Sequence, residues 1–171
     1  MPRGPVHETV NLTLLAAQAI AYARYQPSLP AGFAEGYLAG FLLGTLWITP
    51  DLDLAERRNR PRPLRFWGLL RPLWTPYGLL FRHRGLSHSW IVGPLSRILY
   101  LLFVGQGLTY GLTLTPAGRH LPSPEALQGW VASPLGLGII AGYFLSQWAH
   151  LALDGLAPRL RSRRFFARPH R

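Results

Sequence analysis

Apolar positions gather into four long runs: residues 9–25 (TVNLTLLAAQAIAYARY), 31–49 (AGFAEGYLAGFLLGTLWIT), 89–114 (SWIVGPLSRILYLLFVGQGLTYGLTL) and 130–153 (WVASPLGLGIIAGYFLSQWAHLAL). None alternates polar and apolar residues with the period of two that a half-buried strand needs. All are longer than ordinary strands, so each predicts a helix. Pro50 closes the second run, and Gly155 and Pro158 close the fourth. Between the runs lie a short QPSLPAG turn, an arginine- and proline-rich stretch over 51–88, and a loop around TPAGRHLPSPEA. The chain ends in the basic tail RLRSRRFFARPHR. With no internal repeat and no strand pattern, the expectation is an all-α fold of four helices. One helical domain covers 1–158, and a basic C-terminal tail covers 159–171.

Runs two to four approach the roughly 20 apolar residues that a bilayer span requires. The distribution of arginine sharpens this. Eight arginines fall in the 51–88 stretch and six in the tail after Gly155, while Arg24 and Arg119 stand alone in the other connections. Four crossings with both termini in the cytoplasm would put both arginine-rich pieces inside, as the positive-inside rule asks. The expectation is therefore a four-helix membrane bundle, multi-pass in the inner (cytoplasmic) membrane, with membrane lipids as partners. Some residues pull the other way. Arg97 would sit about 12 Å into the third helix. The first run carries Asn11 and Gln18, the second begins with Glu35, and mean hydropathy is only +0.12. A compact bundle, or one lying on the membrane surface, is the alternative. The first run is not read as a cleaved leader, because Glu8 offsets Arg3 ahead of it.

The 171 residues carry a net charge of +11, every basic residue is arginine, and cysteine is absent. Disulfides, thiolate metal sites and cysteine nucleophiles are thereby excluded. Any metal must be held by nitrogen and oxygen. The seven acids and six histidines are few enough for their positions to matter. His7 precedes the first helix, Asp51 and Asp53 follow the second, His83 and His88 introduce the third, and His150 and Asp154 close the fourth. In an up-down bundle all these ends share one side, the cytoplasmic one. His150 and Asp154, four apart, lie on one helix face. Asp51 and Asp53, two apart, align only in extended or turn backbone, which Pro50 favours. Gly85 allows a turn between His83 and His88, with Ser87 as an N-cap for the third helix. His120 and His170 fall outside this layer.

Neutral imidazoles and carboxylates are the donors a divalent transition metal uses when thiolates are missing. Zinc is the first choice, with manganese or iron as alternatives. Water on such an ion becomes a nucleophile near neutral pH, and a carboxylate that does not ligate can take its proton. Arg82 and Arg84 suit an anionic substrate such as a phosphoester or lipid. Taken one at a time, a histidine at a helix end or an aspartate after proline is usually only a cap or a turn former. Their joint placement carries the metal reading.

The segment HRGLSHS, with PDLD upstream and HLALD downstream, resembles a group of bacterial membrane proteins described as metal-binding proteins or metal-dependent hydrolases. Their shared HRGxTHS motif has threonine where Ser87 stands here. The resemblance runs from His7 to Asp154. It implies a helical membrane protein with metal bound by His7, Asp51, Asp53, His83, His88, His150 and Asp154, and, less directly, hydrolysis. A looser similarity is to zinc-dependent phospholipase C-type bundles.

The leading expectation is a membrane-bound metal-dependent hydrolase. Asp51 or Asp53 would act as general base or bridge a second ion, with Asn11, Ser87 and Gln147 behind the ligands. The alternative is a non-catalytic metal-binding membrane protein that senses, stores or transfers the ion. The tail, with Phe165 and Phe166 among its arginines, reads as a cytoplasmic anchor rather than a nucleic-acid binding element.

Overall fold

The computed structural model describes residues 4–25, 27–55, 67–81, 85–115 and 122–162, with side chains as far as Gly155 in the last stretch. They form α1 (Gly4–Tyr25), α2 (Phe33–Leu46), α3 (Thr75–Leu80), α4 (Val92–Thr113), α5 (Pro124–Ala132) and α6 (Pro134–Ser162). Short 3₁₀ turns occur at Pro50–Leu54, Gly68–Trp74 and Leu86–His88. No strand occurs among the described residues, so the all-α expectation holds.

The organising contact is between α2 and α6, which lie side by side and parallel. Gly36 abuts Leu135 and Ile139, Gly40 abuts Ile139, and Gly44 abuts Ser146 and Gln147, so sequence rises together on both helices. Gly138 and Gly142 answer from α6 against the backbone of Phe33 and Tyr37. A methyl on Gly40 would stand 2.0 Å from the Ile139 carbonyl oxygen, and one on Gly142 2.0 Å from that of Tyr37. Glycine at four-residue spacing is what lets two helix backbones approach this closely.

Around that pair the other helices are placed by a few polar ties. α1 runs antiparallel to α2: Asn11 Nδ2 donates to Thr45 Oγ1 (3.3 Å), and Tyr37 OH donates to Gln18 Oε1 (2.7 Å) two turns further on. α4 starts beside α6, where the Trp148 indole donates to the Trp90 carbonyl (2.7 Å) and Tyr143 OH to the Pro94 carbonyl (3.1 Å). The fourth apolar run is broken by Ser133, extended at φ −66°, ψ 157°. A residue before proline avoids the helical region. Ser133 Oγ then caps α6 by accepting from the Gly136 N–H (3.1 Å), and Pro134 takes the first helical position.

Two expectations need correction. The stretch over 51–88 is not simply a loop: Leu52, Ala55, Trp74 and Tyr77 form a buried core there, packed by Ile48, Trp67, Phe81 and Tyr100. Nor do four membrane-crossing helices emerge. No single described helix is long and apolar enough to cross a bilayer, although α5 with Pro134–Gly155, bent by 67°, has the length and composition jointly. The causes are local. The 14 residues of α2 span only about 21 Å, short of a hydrocarbon core of about 30 Å. Asn11 and Gln18 interrupt α1, and α4 carries Arg97.

Candidate metal centre

Parallel packing brings the C-terminal end of α2 level with the α6 turns around Ser146 and Gln147, and antiparallel α1 brings its N-terminal turn there; α6 itself runs on to Ser162, past the Gly155 and Pro158 expected to close it. His7 closes the first turn of α1, which begins at Gly4, earlier than its apolar run suggests. Asp51 and Asp53 sit on the 3₁₀ turn Pro50–Leu54, with Pro50 opening it. His88 ends the turn Leu86–His88, while His150 and Asp154 come from α6. Six of the seven expected ligands therefore meet at one end of the helices; His83 lies outside the described residues.

His7, His150 and Asp154 present ligand atoms all within 4.8 Å of one another, and so do Asp51, His88 and His150. Asp154 faces both ways. Its Oδ1 is 3.3 Å from His7 Nε2, and its Oδ2 is 3.9 Å from His88 Nε2 and 3.8 Å from His150 Nε2. Asp51 Oδ1 is 3.8 Å from His150 Nε2. His150 Nε2 is buried and has no hydrogen-bond partner, with two carboxylates just beyond hydrogen-bond reach. Ligands bound at about 2.0–2.1 Å in tetrahedral geometry stand about 3.4 Å apart. The observed spacings of 3.3–3.9 Å lie around that value, so the residues fit a divalent metal.

Asp53 plays a different part from Asp51. It is fully buried, and its Oδ2 accepts from Ser87 Oγ at 2.5 Å and lies 3.3 Å from His88 Nδ1. Asp53 thus backs the ring of His88 on the nitrogen opposite the one that faces Asp154, the position of a carboxylate that orients a ligating histidine and raises its basicity. Ser87 does not cap the third long helix as expected, since α4 begins at Val92. Its hydroxyl instead ties Asp53 to the His88 turn, while Ser89 Oγ accepts from the Gly93 N–H (3.0 Å).

Arg97 holds this turn from behind. Its guanidinium is fully buried and donates to the Ser87 carbonyl (3.0 Å), to Gln147 Oε1 (3.0 Å) and, from Nε, to Tyr143 OH (3.4 Å). Gln147 Nε2 in turn donates to the Gly44 carbonyl (3.0 Å). One arginine therefore links the turn bearing His88 to the helix bearing His150. The sequence marked Arg97 only as an obstacle to membrane insertion; a lone charge in an apolar run was the available signal.

Electrostatics keep His150 ready to ligate. Burial pushes its pKa down, and the neighbouring His7 adds to this, so that it falls to about 3. The His7 and His150 rings stack at 3.8 Å, tilted by 10°. Asp154 behaves oppositely to a simple buried acid. Burial raises its pKa, but the hydrogen bond from His7 and the charges of His7, His150 and His88 outweigh that and hold it low. His150 is thus poised as a neutral imidazole beside the ionised Asp154, the protonation states a metal requires of such ligands.

A helical protein with this buried histidine–carboxylate cluster is, by class, a metal-binding protein. Residues 2–164 match the family described as uncharacterized metal-binding protein (DUF2227), and the chain belongs to that family. It is also 36% identical over 73 residues to an "Uncharacterized protein" of Aquifex aeolicus (strain VF5), covering 43% of this chain and 49% of the relative. The chain thus spans about half the length of that relative. No solved structure matches.

Proposed function

We propose that this protein is a metal-dependent hydrolase working at a membrane, with His7, His88, His150 and Asp154 holding the ion and Asp51 serving as general base. The observation that carries the reading is the division of labour among carboxylates. Asp53 is committed to His88 and Ser87, whereas Asp51 faces the imidazole cluster from a side chain that is still 18% exposed. A divalent ion held there supplies Lewis acidity and makes water acidic enough to attack near neutral pH. Asp51 accepts the proton that water gives up. Arg97 keeps the His88 turn in register. Arg82 and Arg84, which flank His83 in sequence, suit a phosphoester or anionic lipid substrate. Zinc fits the mixed nitrogen and oxygen donors, with manganese or iron as alternatives.

The membrane location rests on the exterior. Leu99, Leu102, Phe103, Leu108 and Tyr110 of α4 are each at least 60% exposed. Apolar surface on this scale marks a lipid or protein contact. Together with the arginine distribution it favours seating in the inner membrane with the centre facing the cytoplasm. A second reading, a non-catalytic protein that stores or transfers the ion, is favoured by a different observation. His7 and His150 are each only 4% exposed, and the cavity beside them measures about 10 Å³.

The test is metal analysis of protein purified without chelator, joined to a panel of phosphoester and lipid-ester substrates. Hydrolysis that is lost with the metal in His150→Ala and lost without the metal in Asp51→Asn supports the enzyme. Stoichiometric metal with no turnover of any substrate supports storage or transfer.

A further inference from the structure

The stacked His7 and His150 rings border a cavity of about 10 Å³, which Asn11 and Thr49 also line. Most of its wall is apolar surface and imidazole, which suits a small neutral occupant. Three buried polar atoms of the lining residues have no hydrogen-bond partner: His7 Nδ1, Asn11 Oδ1 and Thr49 Oγ1. The residues that carry them are only 4%, 2% and 3% exposed. Buried polar atoms are normally satisfied. A cavity of this volume takes one water, which needs roughly two to four polar partners. The three orphans supply that number.

The Asn11 amide is held in one orientation, because its Nδ2 donates to the Ser146 carbonyl (3.0 Å) and to Thr45 Oγ1 (3.3 Å). Its Oδ1 is therefore a fixed acceptor. The ring of His7 is not fixed in the same way. Without an ion, His7 Nε2 donates to Asp154 Oδ1 at 3.3 Å. A neutral imidazole carries one proton, so Nδ1 is then an acceptor. When Nε2 gives its lone pair to a metal, the proton sits on Nδ1, which becomes a donor and needs an acceptor of its own. Asn11 Oδ1 cannot serve both states, because it only accepts. A water can. Without the ion it donates to Nδ1 and to Asn11 Oδ1 and accepts from the Thr49 hydroxyl. With the ion it turns to accept from Nδ1–H and keeps its bonds to Asn11 and Thr49.

We propose that one buried water joins His7 Nδ1 to Asn11 Oδ1 and Thr49 Oγ1, and that Asn11 and Thr49 act through it as positioning residues. They let the His7 ring exchange its bond to Asp154 for a bond to the metal. Asp53 supports His88 by direct contact; Asn11 and Thr49 support His7 across a water. The inference rests on the metal-centre reading above and extends it to Thr49, which the histidine pattern does not reach.

The test uses the full chain with heavy-nitrogen-labelled histidines, studied by nuclear magnetic resonance without metal and with one equivalent of Zn²⁺. On zinc addition His7 should change from the Nε2–H to the Nδ1–H tautomer. Its Nδ1–H proton should then show cross-relaxation with a bound water. Thr49→Val, nearly isosteric, should abolish the water signal and weaken zinc binding at least about tenfold in chelator competition, the loss typical of removing a partner behind a ligating histidine. Thr49→Ser keeps the hydroxyl and should keep both the signal and the affinity, which a purely steric role for Thr49 does not predict. Circular dichroism checks the helicity of each variant. A wild-type chain that binds zinc with no water signal at His7 Nδ1–H overturns the proposal and leaves the metal centre standing. So does a Thr49→Val chain with wild-type zinc affinity, or a Thr49→Ser chain as weak as Thr49→Val. A wild-type chain that binds no zinc overturns this proposal and the metal-centre reading together.

Discussion

Substituting Gly40 by alanine tests the link between helix packing and the metal centre. The added methyl carbon would stand 2.0 Å from the Ile139 carbonyl oxygen and 2.7 Å from Ile139 Cα. An ordinary carbon–oxygen contact needs roughly 3.4 Å, so α2 and α6 must separate by more than an ångström, and both obstacles are backbone that no rotamer change can move. Overpacking of this kind costs about 1–3 kcal/mol. The consequence reaches the centre because Asp51 follows α2 while His150 and Asp154 ride on α6. Metal bonds tolerate about 0.2 Å of error. Separating the helices should therefore weaken metal binding by at least about tenfold, as well as lower the melting temperature. Gly105→Ala is the control, since nothing lies within 4 Å of its added carbon. Helix propensity alone should make that variant up to about 1 kcal/mol more stable. Thermal unfolding and competition against a chromophoric chelator read both effects. A Gly40→Ala protein with wild-type stability and wild-type metal affinity refutes the reasoning.

Arg97→Met should destabilise strongly, by about 1–3 kcal/mol for each buried acceptor left without a donor, as followed by urea unfolding. Arg97→Lys should recover only part, because an ammonium cannot reproduce the three-way fork to Ser87, Gln147 and Tyr143. Ser87→Ala frees Asp53 from its hydroxyl partner and should lower metal affinity by about tenfold or more while leaving helicity intact, read by chelator competition and circular dichroism. The metal-free protein should lose stability as pH falls from about 6.5 towards 3. The folded pKa of His150 is depressed to about 3, so the unfolded chain binds the extra proton across that window. The slope is about 1.4 kcal/mol per pH unit for that one group. Asp154, also depressed, adds to the loss below about pH 4. Urea titrations at pH 7, 5.5 and 4 check this, and stability that rises on acidification contradicts it.

Much of the centre was legible in the sequence because its residues are rare and stand at helix ends. With few acids and histidines in the chain, His7, Asp51, Asp53, His83, His88, His150 and Asp154 were singled out by position and by the family resemblance, and the up-down order put the end of α2 on the side where α6 carries His150 and Asp154. Other features depend on contacts that periodicity does not encode. Asp51 and Asp53 look equivalent in PDLD, yet one faces the imidazoles and the other backs His88, because a 3₁₀ turn points alternate side chains to different neighbours. Ser87 has the form of a helix cap but is drawn to Asp53. The aromatic core of Leu52, Trp74 and Tyr77 was hidden among arginines and prolines, where apolar residues follow neither helical nor strand spacing. The glycines at 36, 40 and 44 and at 138 and 142 were a visible signal of close helix approach, left unread beside the stronger apolar pattern. Serine before Pro134 likewise announced the break that divides the fourth run into α5 and α6. The expectation of spanning helices followed from apolar length and the distribution of arginine. It gave too little weight to the short α2 and to a buried arginine that the fold uses internally.

The most direct test is a crystal structure of the zinc-loaded chain with anomalous data on either side of the zinc absorption edge. The account predicts an anomalous peak bonded to His150 Nε2, with Asp154 and at least one of His7 and His88 at about 2.0–2.2 Å. Zinc bound elsewhere, with His7 and His150 still stacked and Asp154 merely hydrogen-bonded between them, would contradict it.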